Sequence, residues 1–382
     1  MENFLKKTSR QLGELGLISP AVVLDEQRVR NNIRRMADKA AAAQVRFRPH
    51  FKTHQSGAVG QWFREADTSA ITVSSLPMAE YFAEFGWNDI TLAFLLNPRE
   101  LPRLGELAEY LDQKKGRLGV TIDAVATALQ LVEANLPVHI WLKIDTGYGR
   151  TGIPWDHAAL LRDVAGALGP HHSPTGLLSH TGDSYAAHGV PDLQAHWDAA
   201  VERLTLARSV VPTTRRLDLS LGDTPCCATV PTFEGVDEVR PGNFVFFDLM
   251  QREIGACQDK DLAVAVACPV VGMYPDQGRL VLHGGAVHLA KEHLRFDGQN
   301  TYGCLGTLDP SGRAMGQVLS HLPITGLSQE HGIVQVEPEV FRRELAELEI
   351  GDLVLVWPVH SCLSCDLHRQ YHTLDGQVLA RR

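Results

Sequence analysis

Arg48-Pro49-His50-Phe51-Lys52-Thr53-His54-Gln55, directly after Val45-Arg46-Phe47, decides how this chain is read. The run at 45–47 is β-branched and aromatic, which predicts a strand. Pro49 cannot continue a helix and biases Arg48 toward extended geometry, so Lys52 is expected at or just past the strand's end. In a barrel of alternating strands and helices, chemistry is carried at strand C-termini. A lysine there, with His50 and His54 as competing cations, would hold a depressed pKa and act as an amine nucleophile. An isolated lysine in a loop is more often plain surface, so the weight falls on the residues around it.

Upstream, Ala21-Val22-Val23-Leu24 is a short apolar strand, and Asp25 is a good N-cap for the segment after it. In that segment Val29, Ile33, Met36, Ala37 and Ala40 fall on one helical face. Downstream, apolar runs recur at 45–47, 70–74, 90–95, 118–123, 138–144, 175–179 and 216–221. Segments of helical period, such as 124–135 and 192–211, lie between most of them. With 21–24 counted there are eight strand candidates in roughly 200 residues, the strand number of a closed barrel. An open doubly wound sheet is the alternative, but no Gly-x-Gly-x-x-Gly follows the first strand. The expected fold is α/β, a (β/α)8 TIM-type barrel over residues 21–254. From about residue 255 short β-like runs dominate, at 262–274, 279–283, 286–290, 333–336 and 353–357. Turn signals at Pro275-Asp276-Gln277-Gly278 and Asp375-Gly376 separate them, and one helical stretch, Pro338 to Leu348, interrupts. Residues 255–382 therefore read as a second, mostly β domain.

Bulk properties narrow the class. The chain has 382 residues, 44% hydrophobic and 21% charged, as expected of a globular protein with ample core. A net charge of −9 leaves no electrostatic footprint for nucleic acid. No apolar run approaches the roughly eighteen residues of a membrane span. The start, Met-Glu-Asn-Phe-Leu-Lys-Lys, lacks a secretory apolar core. Seven cysteines, an odd number without scaffold spacing, suit a reducing cytoplasm. The expectation is a soluble cytoplasmic protein without nucleic-acid or membrane partners.

Several stretches carry chemistry. Trp141 to Gly152 is a strand running into a loop punctuated by Gly147, Gly149 and Gly152, with Arg150 carried on the loop; a turn with a surface arginine is the bland alternative. His180, at the end of the apolar run 176–179 and beside Asp183 and Tyr185, could stack on a cofactor ring, relay protons or simply be structural. Ser220-Leu221-Gly222-Asp223-Thr224 and Arg240-Pro241-Gly242-Asn243 offer hydroxyls and glycine amides of the kind that cradle a phosphate, though such turns also occur for structural reasons. Near the end, His360 and Cys362 are two residues apart. On an extended backbone they would share a face, and imidazole and thiolate are both good zinc ligands.

Pro49-His50-Phe51-Lys52-Thr53-His54 resembles the pyridoxal-phosphate lysine motif of the D-threonine aldolase and D-serine dehydratase family, whose members have the alanine-racemase-like, fold-type III architecture. The resemblance covers nearly the whole chain. It implies pyridoxal 5'-phosphate on Lys52 and, from the Asp-x-Gly-x-x-Arg-x-Gly pattern at 145–152, Arg150 beside the cofactor's phenolic oxygen. It places His180 on the cofactor ring with Tyr185 nearby, and makes Ser220, Gly222, Thr224, Gly242 and Asn243 a phosphate cradle. Arg240 resembles the alanine racemase arginine that meets the pyridine nitrogen, which weakens the ring as an electron sink. The racemase's second-base tyrosine motif is not visible. His360 and Cys362 resemble the zinc site of D-serine dehydratase, where aldolase relatives tend to carry His-x-Asp; manganese or magnesium could replace zinc. Ser328-Gln329-Glu330-His331-Gly332 resembles a family segment near the active site. The resemblance also implies a homodimer, and packing of residues 1–20 on the second domain. The expected activity is a metal-assisted lyase for D-3-hydroxy amino acids, a dehydratase releasing a 2-keto acid and ammonia. Retro-aldol cleavage to glycine and an aldehyde, racemisation, and pyridoxal-phosphate binding without turnover are the alternatives.

Overall fold

The computed structural model describes residues 3–296 and 298–382. It divides into two compact units: one comprises 34–242 with 254–256, and the other comprises 3–33, 243–253 and 257–381.

The first unit is a barrel. Arg46–Phe47, Ile71–Val73, Asp89–Leu95, Arg117–Ile122, His139–Asp145, Gly176–Ser179, Asp218–Leu221 and Glu238–Val239 pair in parallel, in chain order. Glu238–Val239 pairs back onto Arg46–Phe47. Closure comes between the first two strands, where His50 bridges Thr72, the Phe51 N–H donates to the Thr72 carbonyl at 2.9 Å, and the Thr72 N–H donates to the Pro49 carbonyl at 2.9 Å. Helices such as Val125–Ala134 and Val190–Val210 cover the outside. Strands enclosed on both faces carry continuous apolar runs, and Ile71, Val73, Ile90, Leu118, Val120, Ile140, Leu142, Leu177 and Leu219 are all buried.

Two expectations fail here. Ala21–Leu24 is not a barrel strand: it pairs antiparallel with Val264–Tyr274 and parallel with Gln370–Thr373 in the other unit. Four apolar residues make a strand but cannot name its partner. Its place in the barrel belongs to Glu238–Val239, which is too short and too polar to read as an apolar run. The run at 286–290 is a short helix, Ala286–Leu289, as a brief apolar run without period allows.

The second unit is built on a nine-stranded, mostly antiparallel sheet. Its order is Arg279–His283, His331–Gln335, Met315–Leu327, Gly303–Leu308, Leu353–Pro358, Val264–Tyr274, Ala21–Leu24, Gln370–Thr373 and Val378–Ala380. Arg279–His283 also pairs with Val264–Tyr274, curling the sheet on itself. The N-terminal helix Phe4–Gly13 lies against Leu353–Pro358. There the Ser9 hydroxyl donates to Asp352 at 2.8 Å and accepts from the Leu353 N–H at 3.0 Å, and Lys6 pairs with Asp352 at 2.9 Å.

Candidate active site

Local packing presents Lys52. Phe51 is buried in an aromatic cluster, with ring centroids 4.8 Å from Phe63, 4.9 Å from Phe82 and 5.1 Å from Trp87. With Phe51 anchored inward, the turn carries Lys52 outward, and its side chain is exposed at the end of the first barrel strand. The Lys52 N–H donates to His50 Nδ1 at 3.3 Å, and the Gln55 side chain donates to the Lys52 carbonyl at 3.1 Å.

The expected histidine cations do not flank the lysine as such. Burial pushes the His50 imidazole well below its ordinary pKa, and Lys52, Arg240, His180 and Lys143 add to the effect, so the ring is neutral. His54 is buried beside Phe51, its Nδ1 accepting from the Ser56 N–H at 3.1 Å. The positive charge around the barrel mouth comes instead from Lys143, Arg150 and Arg240.

Lys143 was missed in the sequence. It lies in the strand His139–Asp145 and is only 5% exposed. Burial, Arg240 and Arg150 push its pKa down to about 7, against Asp145 and Asp123. A lone cation inside the apolar run 138–144 was the available signal.

Arg150 sits on the glycine loop. Asp145 shapes that loop, its carboxylate accepting from the Gly147 N–H at 2.9 Å and the Gly149 N–H at 3.0 Å. Gly147, Gly149 and Gly152 all have positive φ, which explains their number. The Arg150 guanidinium lies 5.0 Å from the Tyr148 ring centroid.

His180 Nδ1 meets the Gly222 carbonyl at 2.7 Å, so Nδ1 carries the proton and Nε2 is left as the acceptor. Tyr185 is beside it, with centroids 6.4 Å apart. Burial holds the His180 ring neutral, pushing its pKa well down, with Lys52, Lys143 and Arg150 acting the same way.

Gly222 and Gly242 permit close approach. A Cβ on Gly222 would lie 2.6 Å from the Arg240 nitrogen, and one on Gly242 would lie 3.0 Å from the His50 carbonyl oxygen. The Gly242 N–H donates to the Thr224 hydroxyl at 3.3 Å. Ser220 is placed differently from the other hydroxyls. Its Oγ donates to Glu238 at 2.6 Å and accepts from Arg240 Nε at 2.7 Å, so it supports Arg240 from inside the barrel. Glu238, also missed in the sequence, accepts from Arg48 Nε at 2.6 Å on its other oxygen. Burial lowers the Arg240 guanidinium to about 10 despite Glu238.

This donor set fits pyridoxal 5'-phosphate. Lys52, Lys143, Arg150 and Arg240 crowd the mouth, and Arg240 and Arg150 add to the burial that lowers the Lys143 pKa. A dianionic phosphate and a phenolate would supply the missing counter-charge.

In the second unit, His360 is the extended N-cap residue (φ −131°) of the helix Ser361–Asp366, and Cys362 lies in that helix's first turn. The pair thus comes together at a strand-to-helix junction, not by alternation along a strand. Asp248 fixes the junction, accepting from the Ser361 N–H at 2.8 Å and from the Asn243 side chain at 2.6 Å. Asn243 Nδ2 also reaches Cys362 Sγ at 3.5 Å, which ties Asn243 to the cysteine. Behind His360, Glu292 accepts from Nδ1, leaving Nε2 for another partner. Burial disfavours the charged imidazole, yet Cys362 and Glu292 outweigh it and hold His360 up to about 11. An electron-rich site that retains a proton so firmly also suits a divalent cation, with Glu292 as the carboxylate that orients the imidazole. Glu292 carries no motif and lies 68 residues away in sequence.

Comparison with known proteins bears on both units. Residues 24–249 match the alanine racemase N-terminal domain, and residues 263–374 match the putative serine dehydratase domain. The D-threo-3-hydroxyaspartate dehydratase of Delftia sp. strain HT23 is 32% identical over 95% of this chain and 96% of its own. The D-serine dehydratase of Dictyostelium discoideum is 27% identical over 95% of each. The solved structure of the Delftia dehydratase superposes with a TM-score of 0.84 at 30% identity, covering 96% of this chain and 98% of that one. Further structures of that enzyme carry alanine at a histidine or at a cysteine two positions beyond it, the cysteine variant in the metal-free form.

Proposed function

The chain belongs to the family that joins an alanine racemase N-terminal domain to a putative serine dehydratase domain, and we propose that it is a pyridoxal-phosphate-dependent, metal-assisted dehydratase of D-3-hydroxy amino acids. Its product is a 2-keto acid with release of ammonia. The observation that carries this reading is the His360–Cys362 pair with Glu292 behind the imidazole. The cysteine-to-alanine variant of the Delftia dehydratase in the metal-free form supports it.

Each residue takes one task. Lys52 would hold the cofactor through its Nζ, and the same amine would accept the α-proton. Arg150 would face the phenolate, Arg240 the pyridine nitrogen, and His180 the ring, with Tyr185 beside it. The Gly222 and Gly242 amides, the Thr224 hydroxyl and the turn leading to Asn243 receive the phosphate, and Ser220 holds Arg240 in place. Bound pyridoxal phosphate supplies the electron sink that makes the α-proton removable. His360 and Cys362 would hold a metal, which would supply a Lewis acid for the departing β-hydroxyl. Asp248 and Glu292 keep those two ligands oriented. Zinc as the metal, a homodimeric assembly and a cytoplasmic location complete the proposal, supported by the thiolate–imidazole donor pair, the family resemblance and seven cysteines that form no disulfide among the described residues. No helix among the described residues is long and apolar enough to cross a membrane.

The test is an assay of protein loaded with cofactor and zinc on D-serine, D-threonine and D-3-hydroxyaspartate, resolving keto acid from glycine. Keto acid with ammonia is expected. Glycine with an aldehyde would make the enzyme an aldolase and remove the His-x-Cys pair as the determinant of outcome.

A further inference from the structure

We propose a second divalent-metal site in the β unit, formed by His283, His288 and Glu330 and sharing no residue with the His360–Cys362 pair. His283 ends the strand Arg279–His283, His288 is on the short helix Ala286–Leu289, and Glu330 is in the turn before the strand His331–Gln335. Each contributes one lone-pair atom, and these lie within 4.8 Å of one another. Glu330 Oε2 is 3.7 Å from His283 Nε2 and 3.9 Å from His288 Nε2. Those distances are too long for hydrogen bonds. They are only a few tenths of an ångström above the roughly 3.3 Å edge between ligand atoms placed about 2.0–2.1 Å from a tetrahedral zinc ion. The two imidazoles stand at right angles, with centroids 5.2 Å apart, so they converge on a point and do not stack.

The backbone holds this set ready. The Gly284 N–H donates to the Glu330 carbonyl at 2.9 Å, the Ala286 N–H to Ser328 at 2.9 Å and the Val287 N–H to Gln329 at 3.2 Å. Two glycines let the turns touch. A Cβ on Gly285 would lie 2.4 Å from the Gln329 carbonyl oxygen, and one on Gly332 would lie 2.6 Å from that of Gly284. From the other side, His368 Nε2 meets the His288 carbonyl at 3.0 Å and the Ser364 hydroxyl donates to that of Leu289 at 2.7 Å. Little ordering is left for an ion to impose, which favours binding. The side chains of His283 (39%) and Glu330 (48%) are accessible, so an ion can enter from solvent and keep water in its remaining positions.

Two imidazoles and one carboxylate select zinc or a neighbouring first-row divalent ion over calcium or magnesium, which take oxygen ligands. The set differs from the first pair in its residues and in the end of the helix Ser361–Asp366 that it neighbours. His360 precedes the helix Ser361–Asp366 and His368, the neighbour of His288, follows it; six helical residues span about 9 Å. An ion there clamps the 283–288 turn to the 328–332 turn. The family's catalytic metal pair is not involved.

The experiment uses the full chain with cofactor, stripped by chelator and dialysed against buffered micromolar zinc, with zinc per chain measured by mass spectrometry. The His360→Ala/Cys362→Ser protein is expected to retain one ion. Adding either His288→Ala or Glu330→Gln should remove it; the glutamine variant leaves the half-buried His288 ring in place and guards against misfolding. Cobalt in the His360→Ala/Cys362→Ser background should give d–d bands without thiolate charge transfer. A His360→Ala/Cys362→Ser protein without zinc, or one whose zinc survives both further substitutions, overturns the site.

Discussion

Replacing Glu238 by alanine tests the charge arrangement on which the barrel mouth rests. Glu238 is fully buried, and its two oxygens serve Arg48 and Ser220, each at 2.6 Å. Through Ser220 it also supports Arg240, and both guanidinium groups are at most 4% exposed. Deleting one partner of such a pair strands buried charge and costs about 3–5 kcal/mol. Arg48 keeps Asp89 at 2.6 Å, an acid that is itself partly solvated, so the lower end applies and the cost is about 3 kcal/mol. For a domain of this size that is a fall of about 6–12 °C in Tm. The assay is thermal unfolding of the cofactor-free protein, with Glu238→Gln isolating the charge from the shape. The sign with pH follows from the lowered Glu238 pKa. Burial raises it, but Arg48, the hydrogen bonds from Arg48 and Ser220, and Arg240 together hold it below its ordinary 4.5. The stabilisation is therefore fully present above about pH 4.5 and is lost as pH falls through the depressed folded value. The gap between wild type and Glu238→Gln should close in acid. A Glu238→Ala protein melting within about 2 °C of wild type at neutral pH would refute the reasoning.

Lys52→Ala should abolish the absorbance of covalently held cofactor and all turnover; a persisting band would remove the lysine from its role. His360→Ala and Cys362→Ala should each lose the metal at that site together with dehydratase activity, and unchanged activity in both would dismiss the pair. Glu292→Gln should weaken metal binding at His360 by roughly 10–100-fold with little loss of stability, measured by competition with a chromophoric chelator. Gly222→Ala should cost about 1–3 kcal/mol, because its Cβ meets the Arg240 backbone, and should lower cofactor affinity in a fluorescence titration; wild-type values for both would show that the turn has slack.

What could be read from the sequence, and what could not, follows the reach of the interactions involved. The apolar runs at 70–74, 90–95, 118–123, 138–144, 175–179 and 216–221 all became barrel strands, because burial on both faces leaves a local mark. Strand partnership leaves none. Ala21–Leu24 carries the same mark, yet pairs with Val264–Tyr274, more than 200 residues away. Glu238–Val239 closes the barrel with two residues, one of them charged, because a strand that short is defined by its neighbours' hydrogen bonds and not by its own composition.

The candidate site divides along the same line. Lys52, Arg150, His180 and the turns at 222 and 242 stand at strand ends, where motif and position coincide. The groups that set their electrostatics come from elsewhere: Lys143 from inside a strand, Glu238 from the strand that was not seen, and Glu292 from a loop. His50 makes the distinction sharpest. In sequence it is a possible cation two residues from the lysine. In the fold it is one of several basic groups sharing a single mouth, and burial, with Lys52, Arg240 and Lys143 beside it, strips its proton. Burial is the largest cause of both shifts, and the positive charge that adds to it is the part an anionic cofactor would relieve. Cofactor binding should therefore raise the Lys143 pKa from about 7, a shift measurable by pH-dependent amine labelling with and without pyridoxal phosphate. Identical labelling profiles would mean that the phosphate and phenolate lie beyond the reach of that charge cluster.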